Sequence, residues 1–304
     1  MSKSLDTQLQ EFESYVGSFF PQEDVERLKA LCQKGSESLL GYDHIDILGA
    51  LAGLELGDPI LDKLRMPYIL LSSHYLLLDD VIDHHLIQED DVLYSTHLLF
   101  MAYSQMFLSF NINASEQSKA ESIRRMARRI FENALAIRQE IKQRTGFYQP
   151  SKDENYQMIA GRSNSTIQFY EILCFFAGKS PNDNIVNLLT DLVYYLQLGD
   201  DLGDWSQDFK RGNFTPLIQE CFRHIPVEKR NDFSSVEAIL YTGGIYEQYV
   251  AQIVNNLDKI KSQFMEIKGV NVHPICEWID GAQSKAHYLL TNMVSKKLTF
   301  LSQL

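Results

Sequence analysis

The sequence has little positive charge and no long uninterrupted apolar run. Lysine and arginine number 28 against 40 aspartates and glutamates, which gives a formal net charge of -12. Proteins that bind nucleic acid through its phosphates need basic surface, so this excess of acid argues against a nucleic-acid partner. The apolar stretch at residues 66–82 is broken by Pro67, His74 and two aspartates. It is too short and too polar to predict a transmembrane segment.

Cysteine is also scarce, and its spacing excludes the common cysteine motifs. The four cysteines lie far apart and form no CxxC pair, which favours free thiols in a reducing compartment over a disulfide framework or a zinc site. Residues 1–15 contain no apolar core of the kind that a signal peptide requires. We therefore expect a cytoplasmic protein. The cysteines are Cys32, Cys174, Cys221 and Cys276.

Helical periodicity dominates what is present. One stripe of apolar residues recurs at intervals of three and four, the spacing of one helix face: Leu61, Leu64, Tyr68, Leu71, Tyr75, Leu78 and Ile82. A second stripe occupies residues 123–141, and Ser118 with Glu121 predicts a capping box near its start. Four arginines on the same segment are expected on its solvent side, with a diphosphate clamp as the alternative: Arg124, Arg125, Arg128 and Arg129.

Turn residues separate these helical segments at regular intervals. The breaks that glycine, proline and asparagine predict fall at residues 57–59, 111–115, 145–151, 178–183 and 211–216. No low-complexity linker divides the chain, and strand-like alternation is rare. The sequence therefore predicts an all-α fold in a single domain over residues 1–304.

Two groups of aspartates stand out on otherwise apolar helices. The first aspartate cluster, in LLLDDVIDHH, comprises Asp79, Asp80 and Asp83. The second aspartate cluster, in DDLGDWSQD, comprises Asp200, Asp201, Asp204 and Asp208. Within the second, Asp200, Asp204 and Asp208 are spaced i, i+4, i+8, and Asp201, Asp204 and Asp208 share a face at i, i+3, i+7.

Such a concentration of like charge needs a physical reason. Each like-charged i, i+4 pair destabilises an isolated helix by about 0.2–0.5 kcal/mol. Mg²⁺ would relieve this repulsion, because it binds oxygen ligands and shares its shell with substrate phosphates. A calcium loop is excluded, since the alternating D-x-D-x-D-G pattern is missing. Solvated helix faces are the alternative interpretation, which is weaker for two clusters than for one.

These motifs resemble the class I isoprenoid synthase superfamily. DDVID at residues 79–83 matches its DDxxD motif, and DDLGDWSQD at residues 200–208 can be read as three versions of the second motif, with Asp204 and Asp208 where the terpene-cyclase version has Ser and Glu. Read as DDxxD it is similar to trans-prenyltransferases. Read as (N/D)DxxSxxxE it is similar to terpene cyclases, and read as DxxxDxxRG it is similar to squalene and phytoene synthases.

The resemblance implies a helical bundle with a central apolar cavity, three Mg²⁺ ions (with Mn²⁺ as an alternative) and a prenyl diphosphate substrate. It also implies a homodimer. Arg162, next to Gly161, lies in the region of an arginine sensor in a broken helix, and His287 with Tyr288 stands at the position of a C-terminal Arg-Tyr pair, with histidine in place of the arginine. Lys285 lies close to that pair. Lys210 and Arg211 directly follow the second cluster before a Gly-Asn turn, which favours a role in binding the diphosphate.

Among the branches, we predict a terpene cyclase that ionises a linear prenyl diphosphate and releases diphosphate. The segment QKGSES at residues 33–38 has no Lys-Arg pair after its glycine, and no arginine pair follows the first cluster. A second-substrate site of the prenyltransferase type is therefore not indicated. The alternatives are a chain-elongating trans-prenyltransferase or a squalene/phytoene-type condensing synthase, and, outside catalysis, a helical scaffold.

Overall fold

The computed structural model describes residues 5–26, 29, 44–84, 89–108, 115–144 and 150–302. Within these ranges the regular structure is helical and no residue lies in a strand, so the all-α prediction is confirmed. The α-helices whose two ends are both described are α1 (Leu5–Val16), α2 (His44–Leu51), α3 (Pro59–His84), α4 (Glu89–Leu108), α5 (Glu116–Arg144), α6 (Lys152–Arg162), α7 (Asn164–Phe176), α8 (Asp183–Arg211), α9 (Pro216–Phe222), α10 (Phe233–Thr242), α11 (Ile245–Met265) and α12 (His273–Leu301). A short 3-10 helix occupies Val227–Lys229.

The chain divides into two compact units. Unit 1 comprises residues 1–131, 164–186 and 268–275, and unit 2 comprises residues 132–163, 187–267 and 276–304. In unit 1, α3 packs along α4, and α7 packs against α2 and α3. In unit 2, the helices α9, α10 and α11 pack against one another.

The first apolar stripe forms α3, as its spacing predicts. Leu61, Leu64 and Leu71 are almost completely buried, which explains why this stripe stabilises a helix despite Pro67 within it. The helix continues to His84, so the backbone of the first aspartate cluster belongs to its last turns. The side chains of residues 79–91 lie outside the described part of the structure.

The second stripe forms α5, but its start differs from the expected capping box. The helix begins at Glu116, and Ser115 accepts a hydrogen bond from the Ser118 backbone N–H at 3.1 Å. The carboxylate of Glu121 instead binds Arg124 and Arg125. Ser118 lies inside the first turn rather than ahead of it, so the predicted cap is wrong by three residues.

Two expectations from the sequence concern the cysteines and membrane-spanning segments. Cys174, Cys221 and Cys276 are buried free thiols, while Cys32 lies outside the described residues. None of the described helices combines the length and the apolar character needed to cross a lipid bilayer. The single-domain prediction and the central apolar cavity stay predictions.

Candidate functional site

The second aspartate cluster lies on α8, and the packing of that helix decides which carboxylates reach solvent. Leu198, Leu202 and Trp205 are buried, and the Trp205 ring stacks on Phe233 of α10 with centroids 5.3 Å apart. Tyr246 of α11 donates a hydrogen bond to the Leu202 carbonyl at 3.1 Å. These contacts fix one face of α8 inside unit 2.

The opposite face of α8 carries three of the four aspartates. Asp200 and Asp204 are exposed and Asp208 is half-buried, as expected for side chains spaced i, i+4, i+8 along one face. This arrangement leaves their carboxylate oxygens accessible to an ion or a substrate from solvent.

Asp201 differs from its neighbours because it points into unit 2. Its side chain is only 6% exposed, and burial raises the pKa of its carboxyl well above the usual value. The charges of Asp208 and Asp200 add to this rise, whereas Arg162 opposes it. Its Oδ2 atom has no hydrogen-bond partner among the described residues. Its predicted role as a metal ligand stays a prediction.

A turn that follows α8 contacts Asp208. Gly212 adopts a left-handed conformation with φ of 74°, which a residue with a side chain rarely adopts. This turn lets the Asn213 backbone N–H bond the Asp208 carbonyl at 2.8 Å, while its side-chain amide donates to Asp208 Oδ1 at 3.1 Å. Asn213 was not among the predicted site residues, although the Gly-Asn pair after the cluster pointed to a turn at this place.

The basic pair at the end of α8 is exposed. Lys210 and Arg211 both lie on the surface, and the Lys210 ammonium is 5.4 Å from the centroid of the Phe233 ring. This cation–π contact orients Lys210 without neutralising it. The predicted role of both residues in binding diphosphate stays a prediction.

Arg162 lies at a helix break, as the resemblance implied. α6 ends at Arg162 and α7 begins at Asn164. The side chain of Asn133 donates to the carbonyls of Gly161 and Arg162 at 3.2 and 3.0 Å. The hydrogen bonds from Asn133 thus satisfy two carbonyls at the break.

The guanidinium of Arg162 is engaged inside unit 2. Its Nη1 atom donates to Glu140 Oε1 at 2.7 Å, and the Glu140 side chain is 4% exposed. A Cβ atom on Gly161 would come within 2.8 Å of the Ala136 Cβ atom, so α5 and α6 approach closely only because residue 161 is glycine. The positive charge of Arg162 also lowers the pKa of the Asp201 carboxyl, against the rise that burial causes.

On α12, Lys285 is the basic residue that contacts the second cluster. Its Nζ atom donates to Asp200 Oδ1 at 2.8 Å. The Nδ1 atom of His287 instead bonds the Gln283 carbonyl of the same helix at 2.9 Å. Tyr288 is 65% exposed. The structure therefore connects α12 to the cluster through Lys285, whereas the diphosphate roles of His287 and Tyr288 stay predictions.

In unit 1, a partly buried series of hydrogen bonds precedes the first cluster along α3. Tyr75, one turn before Asp79 on α3, donates a hydrogen bond to Gln168 Oε1 at 3.3 Å, and the Gln168 amide donates to the Tyr103 hydroxyl. Gln168 is completely buried. These hydrogen bonds join α3, α4 and α7 one helical turn before the backbone of the first cluster.

Two arginines of α5 have a structural role that was not predicted from the sequence. Arg129 donates from Nη2 to Glu171 Oε1 at 2.8 Å and from Nε to Oε2 at 3.1 Å, and Arg125 contacts Oε1 at 3.4 Å. Arg129 is 15% exposed and Glu171 only 5%. The prediction of a solvated arginine face is therefore wrong for Arg129, because α7 supplies a buried carboxylate opposite it.

The donor set fits Mg²⁺ in kind, although no metal centre is preassembled in the described part of the chain. Among the described residues, no three His, Cys, Asp or Glu side chains stand close enough together to hold a metal ion. Mg²⁺ is usually bound by one or two carboxylates with waters and substrate phosphates. Asp200, Asp204 and Asp208 offer hard oxygen ligands of this kind on the accessible face of α8.

Solved structures resemble this chain in fold, whereas the comparisons of sequence found no match. No protein-family model matches the chain, and no curated protein sequence matches it. Among solved structures, the geranylgeranyl pyrophosphate synthase of Lactobacillus brevis is 14% identical with a TM-score of 0.63, over 94% of this chain and 97% of that one. The geranylgeranyl pyrophosphate synthetase of Geoglobus acetivorans is 14% identical with a TM-score of 0.65, over 94% and 99%.

A third solved structure agrees with these two. The geranylgeranyl pyrophosphate synthetase of Pyrococcus horikoshii is 14% identical with a TM-score of 0.63, over 93% of this chain and 95% of that one. At this identity the likeness concerns the path of the backbone rather than individual site residues. The chain has the all-helical fold of the class I isoprenoid synthases.

Proposed function

We propose that the protein is a Mg²⁺-dependent isoprenoid synthase that ionises an allylic prenyl diphosphate. The observation that carries this proposal is the accessible row of Asp200, Asp204 and Asp208 on α8 in a chain with the isoprenoid synthase fold. A fold alone hosts many functions, but carboxylates spaced along one accessible helix face supply the ligands that this reaction needs.

Chain elongation is the first candidate reaction. The sequence motifs favoured cyclisation, but three solved structures that resemble the chain over nearly their whole length are named as geranylgeranyl pyrophosphate synthases. We therefore place a trans-prenyltransferase, which joins an allylic diphosphate to isopentenyl diphosphate, before a terpene cyclase. The same whole-length likeness supports the proposal that both units belong to one catalytic domain.

Cyclisation is the second candidate, and two features of unit 2 favour it. One is the helix break at Gly161 and Arg162, and the other is the α12 segment that reaches Asp200 through Lys285. Both match features that the sequence shares with terpene cyclases. A squalene/phytoene-type condensation remains a third outcome of the same assay.

The proposed roles follow from charge and position. The aspartates of the first and second clusters would be the ligands of Mg²⁺, with three ions expected in all and Mn²⁺ as an alternative. The diphosphate would be contacted by Arg162, Lys210, Arg211, His287 and Tyr288. Bound Mg²⁺ neutralises a diphosphate and lowers the barrier to its departure. The Gly212–Asn213 turn would hold Asp208 in place through the Asn213 amide, and apolar walls would exclude water from the allylic cation.

We also propose a homodimer and a cytoplasmic location. Leu93, Phe100 and Phe107 of α4 recur at i, i+7, i+14 and are 63%, 70% and 43% exposed. Phe131 of α5 is 63% exposed. Apolar surface of this kind is typical of a protein interface, and Phe100→Glu would convert a dimer to a monomer in light scattering coupled to gel filtration.

Product analysis by mass spectrometry tests the reaction. The purified protein would be incubated with Mg²⁺ and prenyl diphosphates of ten, fifteen, twenty or twenty-five carbons, with and without isopentenyl diphosphate. A longer diphosphate that forms only with isopentenyl diphosphate supports the transferase. A hydrocarbon or alcohol from one diphosphate alone establishes the cyclase, and release of no diphosphate from any substrate contradicts both.

Variants of each cluster test the assigned ligands. Asp80→Ala and Asp204→Ala should each lower kcat by at least about 100-fold, because each removes charge that stabilises the departing group through the metal. Far-ultraviolet circular dichroism should show unchanged helicity. Asp183→Ala, an exposed position in the first turn of the same α8 helix, is the matched control. Near-normal turnover in both cluster variants would rule out the metal assignment.

A further inference from the structure

Lys285 lies directly on the second aspartate cluster of unit 2. Its ammonium, carried by α12, is 2.8 Å from Asp200 Oδ1 on α8, across 85 residues of sequence. Among the described residues, Lys285 makes no other ion pair or hydrogen bond. Its side chain is 54% exposed and that of Asp200 is 52% exposed. The contact is therefore accessible to ions and ligands from solvent.

The ion pair between Lys285 and Asp200 reduces the repulsion between the carboxylates on α8. Asp200, Asp204 and Asp208 place three negative charges along one accessible face, and like charges at this spacing repel. Lys285 supplies a positive charge at the first of the three. Because exposed ion pairs are weak and screened by solvent, this pair offsets the repulsion without fixing the carboxylate permanently.

An ammonium and a metal ion compete for the same oxygen. Mg²⁺ binds carboxylate oxygens at about 2.0–2.1 Å, and the Lys285 ammonium already donates to Asp200 Oδ1. A dication on that carboxylate would stand a few ångströms from the ammonium, so their repulsion favours departure of Lys285. The flexible four-carbon stem of lysine allows such a movement.

We propose that Lys285 is an exchangeable counter-ion of the second aspartate cluster. The ammonium neutralises Asp200 in the metal-free protein. It would release that carboxylate when Mg²⁺ binds, and would then bind an oxygen of the diphosphate. This inference rests on the proposed function, and it adds Lys285 to the α12 residues proposed to contact the diphosphate. Lys285 contacts the second cluster directly, whereas the Nδ1 atom of His287 bonds its own helix.

The exchange predicts effects of opposite sign on two ligands. Loss of the ammonium should strengthen the binding of Mg²⁺ alone, because no competitor remains on Asp200. It should weaken the binding of inorganic pyrophosphate at saturating Mg²⁺, because one cation for the anion is lost. A merely structural ion pair would not shift the two affinities in opposite directions.

Isothermal titration calorimetry on the full chain tests this with Lys285→Gln. We expect Mg²⁺ to bind about threefold more tightly, within the range of an exposed ion pair, and pyrophosphate to bind about tenfold more weakly. Lys296→Gln is the matched control, since Lys296 is an exposed lysine of the same helix and its loss changes the net charge equally. That control should behave as the wild type for both ligands.

The outcomes separate the exchange from the proposed function. Suppose that the wild type converts prenyl diphosphates but Lys285→Gln binds Mg²⁺ as tightly as the wild type or more weakly. This result overturns the proposed exchange of Lys285 for Mg²⁺ and leaves the proposed function intact. Opposite shifts of the two affinities, in a protein that converts no prenyl diphosphate, support the exchange and contradict the proposed function. Equal shifts in Lys285→Gln and Lys296→Gln reduce the effect to net charge and overturn the exchange.

Discussion

Two carboxylates with almost the same burial have opposite surroundings. Glu171 of unit 1 is 5% exposed and Asp201 of unit 2 is 6% exposed. Glu171 receives hydrogen bonds from Arg129 through both oxygens, whereas Asp201 Oδ2 has no partner among the described residues. Equal burial therefore does not mean equal electrostatic cost.

The difference indicates what each carboxylate does. A buried charge is tolerated when it is paired and hydrogen-bonded, and one left unpaired costs free energy. Glu171 thus joins α5 to α7 as part of the framework. Burying the Asp201 carboxyl without a partner for Oδ2 among the described residues costs free energy, and this residue lies directly beside Asp200. Natural proteins accept such unfavourable burial mainly at functional sites.

The largest expected effect on stability comes from removing the arginine that pairs with the buried carboxylate of Glu171. Arg129→Ala should lower the free energy of unfolding by about 3 kcal/mol, because it leaves Glu171 buried with only the longer contact to Arg125. Urea denaturation followed by circular dichroism measures the change. Arg124→Ala, which removes an exposed arginine of the same helix, should change stability by less than about 0.5 kcal/mol. Equal losses in the two variants would mean that Glu171 does not need Arg129.

The next effect concerns the close approach of α5 and α6 beside Arg162. Gly161→Ala should destabilise the protein by about 2 kcal/mol, because the new methyl group would overlap Ala136 and separate α6 from α5. Gly199→Ala on α8 has open space around it and should stabilise by about 0.5–1 kcal/mol through helix propensity. Thermal unfolding that ranks the two variants the other way would contradict the close approach.

The Asp201 carboxyl should make stability depend on pH, and an amide in its place should not. Because the folded-state pKa is raised, the unfolded chain loses its proton first, and the free energy of unfolding falls as pH rises from about 4 through the raised pKa. Asp201→Asn removes this slope and should stabilise the metal-free protein by about 1 kcal/mol at pH 8. Urea titrations in chelator between pH 4 and pH 8 test it, and an advantage that shrinks with rising pH would contradict the prediction.

The smallest expected changes in stability come from removing two tyrosine hydroxyls of α11, one hydrogen-bonded and the other without a partner among the described residues. Tyr249 is buried and its hydroxyl has no partner in the described part of the chain, whereas Tyr246 bonds the Leu202 carbonyl. Tyr246→Phe should cost about 1 kcal/mol, and Tyr249→Phe should be neutral or slightly stabilising, since it removes an unsatisfied polar group. A loss in Tyr249→Phe as large as that in Tyr246→Phe would show that the hydroxyl is satisfied in solution.

Local patterns in the sequence predicted much of the fold. The stripe from Leu61 to Ile82 predicted α3, and the breaks at residues 57–59, 178–183 and 211–216 agree with the start of α3 and the ends of α7 and α8. These features depend on residues three or four apart and on turn chemistry, which a sequence displays directly. The spacing of Asp200, Asp204 and Asp208 likewise predicted their common face.

Other features depend on partners that are distant in sequence. Arg129 was expected in solvent, but it meets Glu171 after 42 residues of chain, and Lys285 meets Asp200 after 85. Asp201 was grouped with its neighbours, although α8 turns its side chain into unit 2. Periodicity places a residue on a face without stating what packs against that face.

The sequence by itself determined the helices, their breaks and the clustering of aspartates, because each is fixed by spacing along one helix. Only the tertiary structure decided which carboxylates are paired, buried or accessible, because these properties depend on which other helices pack against α5 and α8. Burial and charge pairing are set by neighbours in space, and their free energies of about 1–5 kcal/mol exceed the local preferences that a sequence reveals.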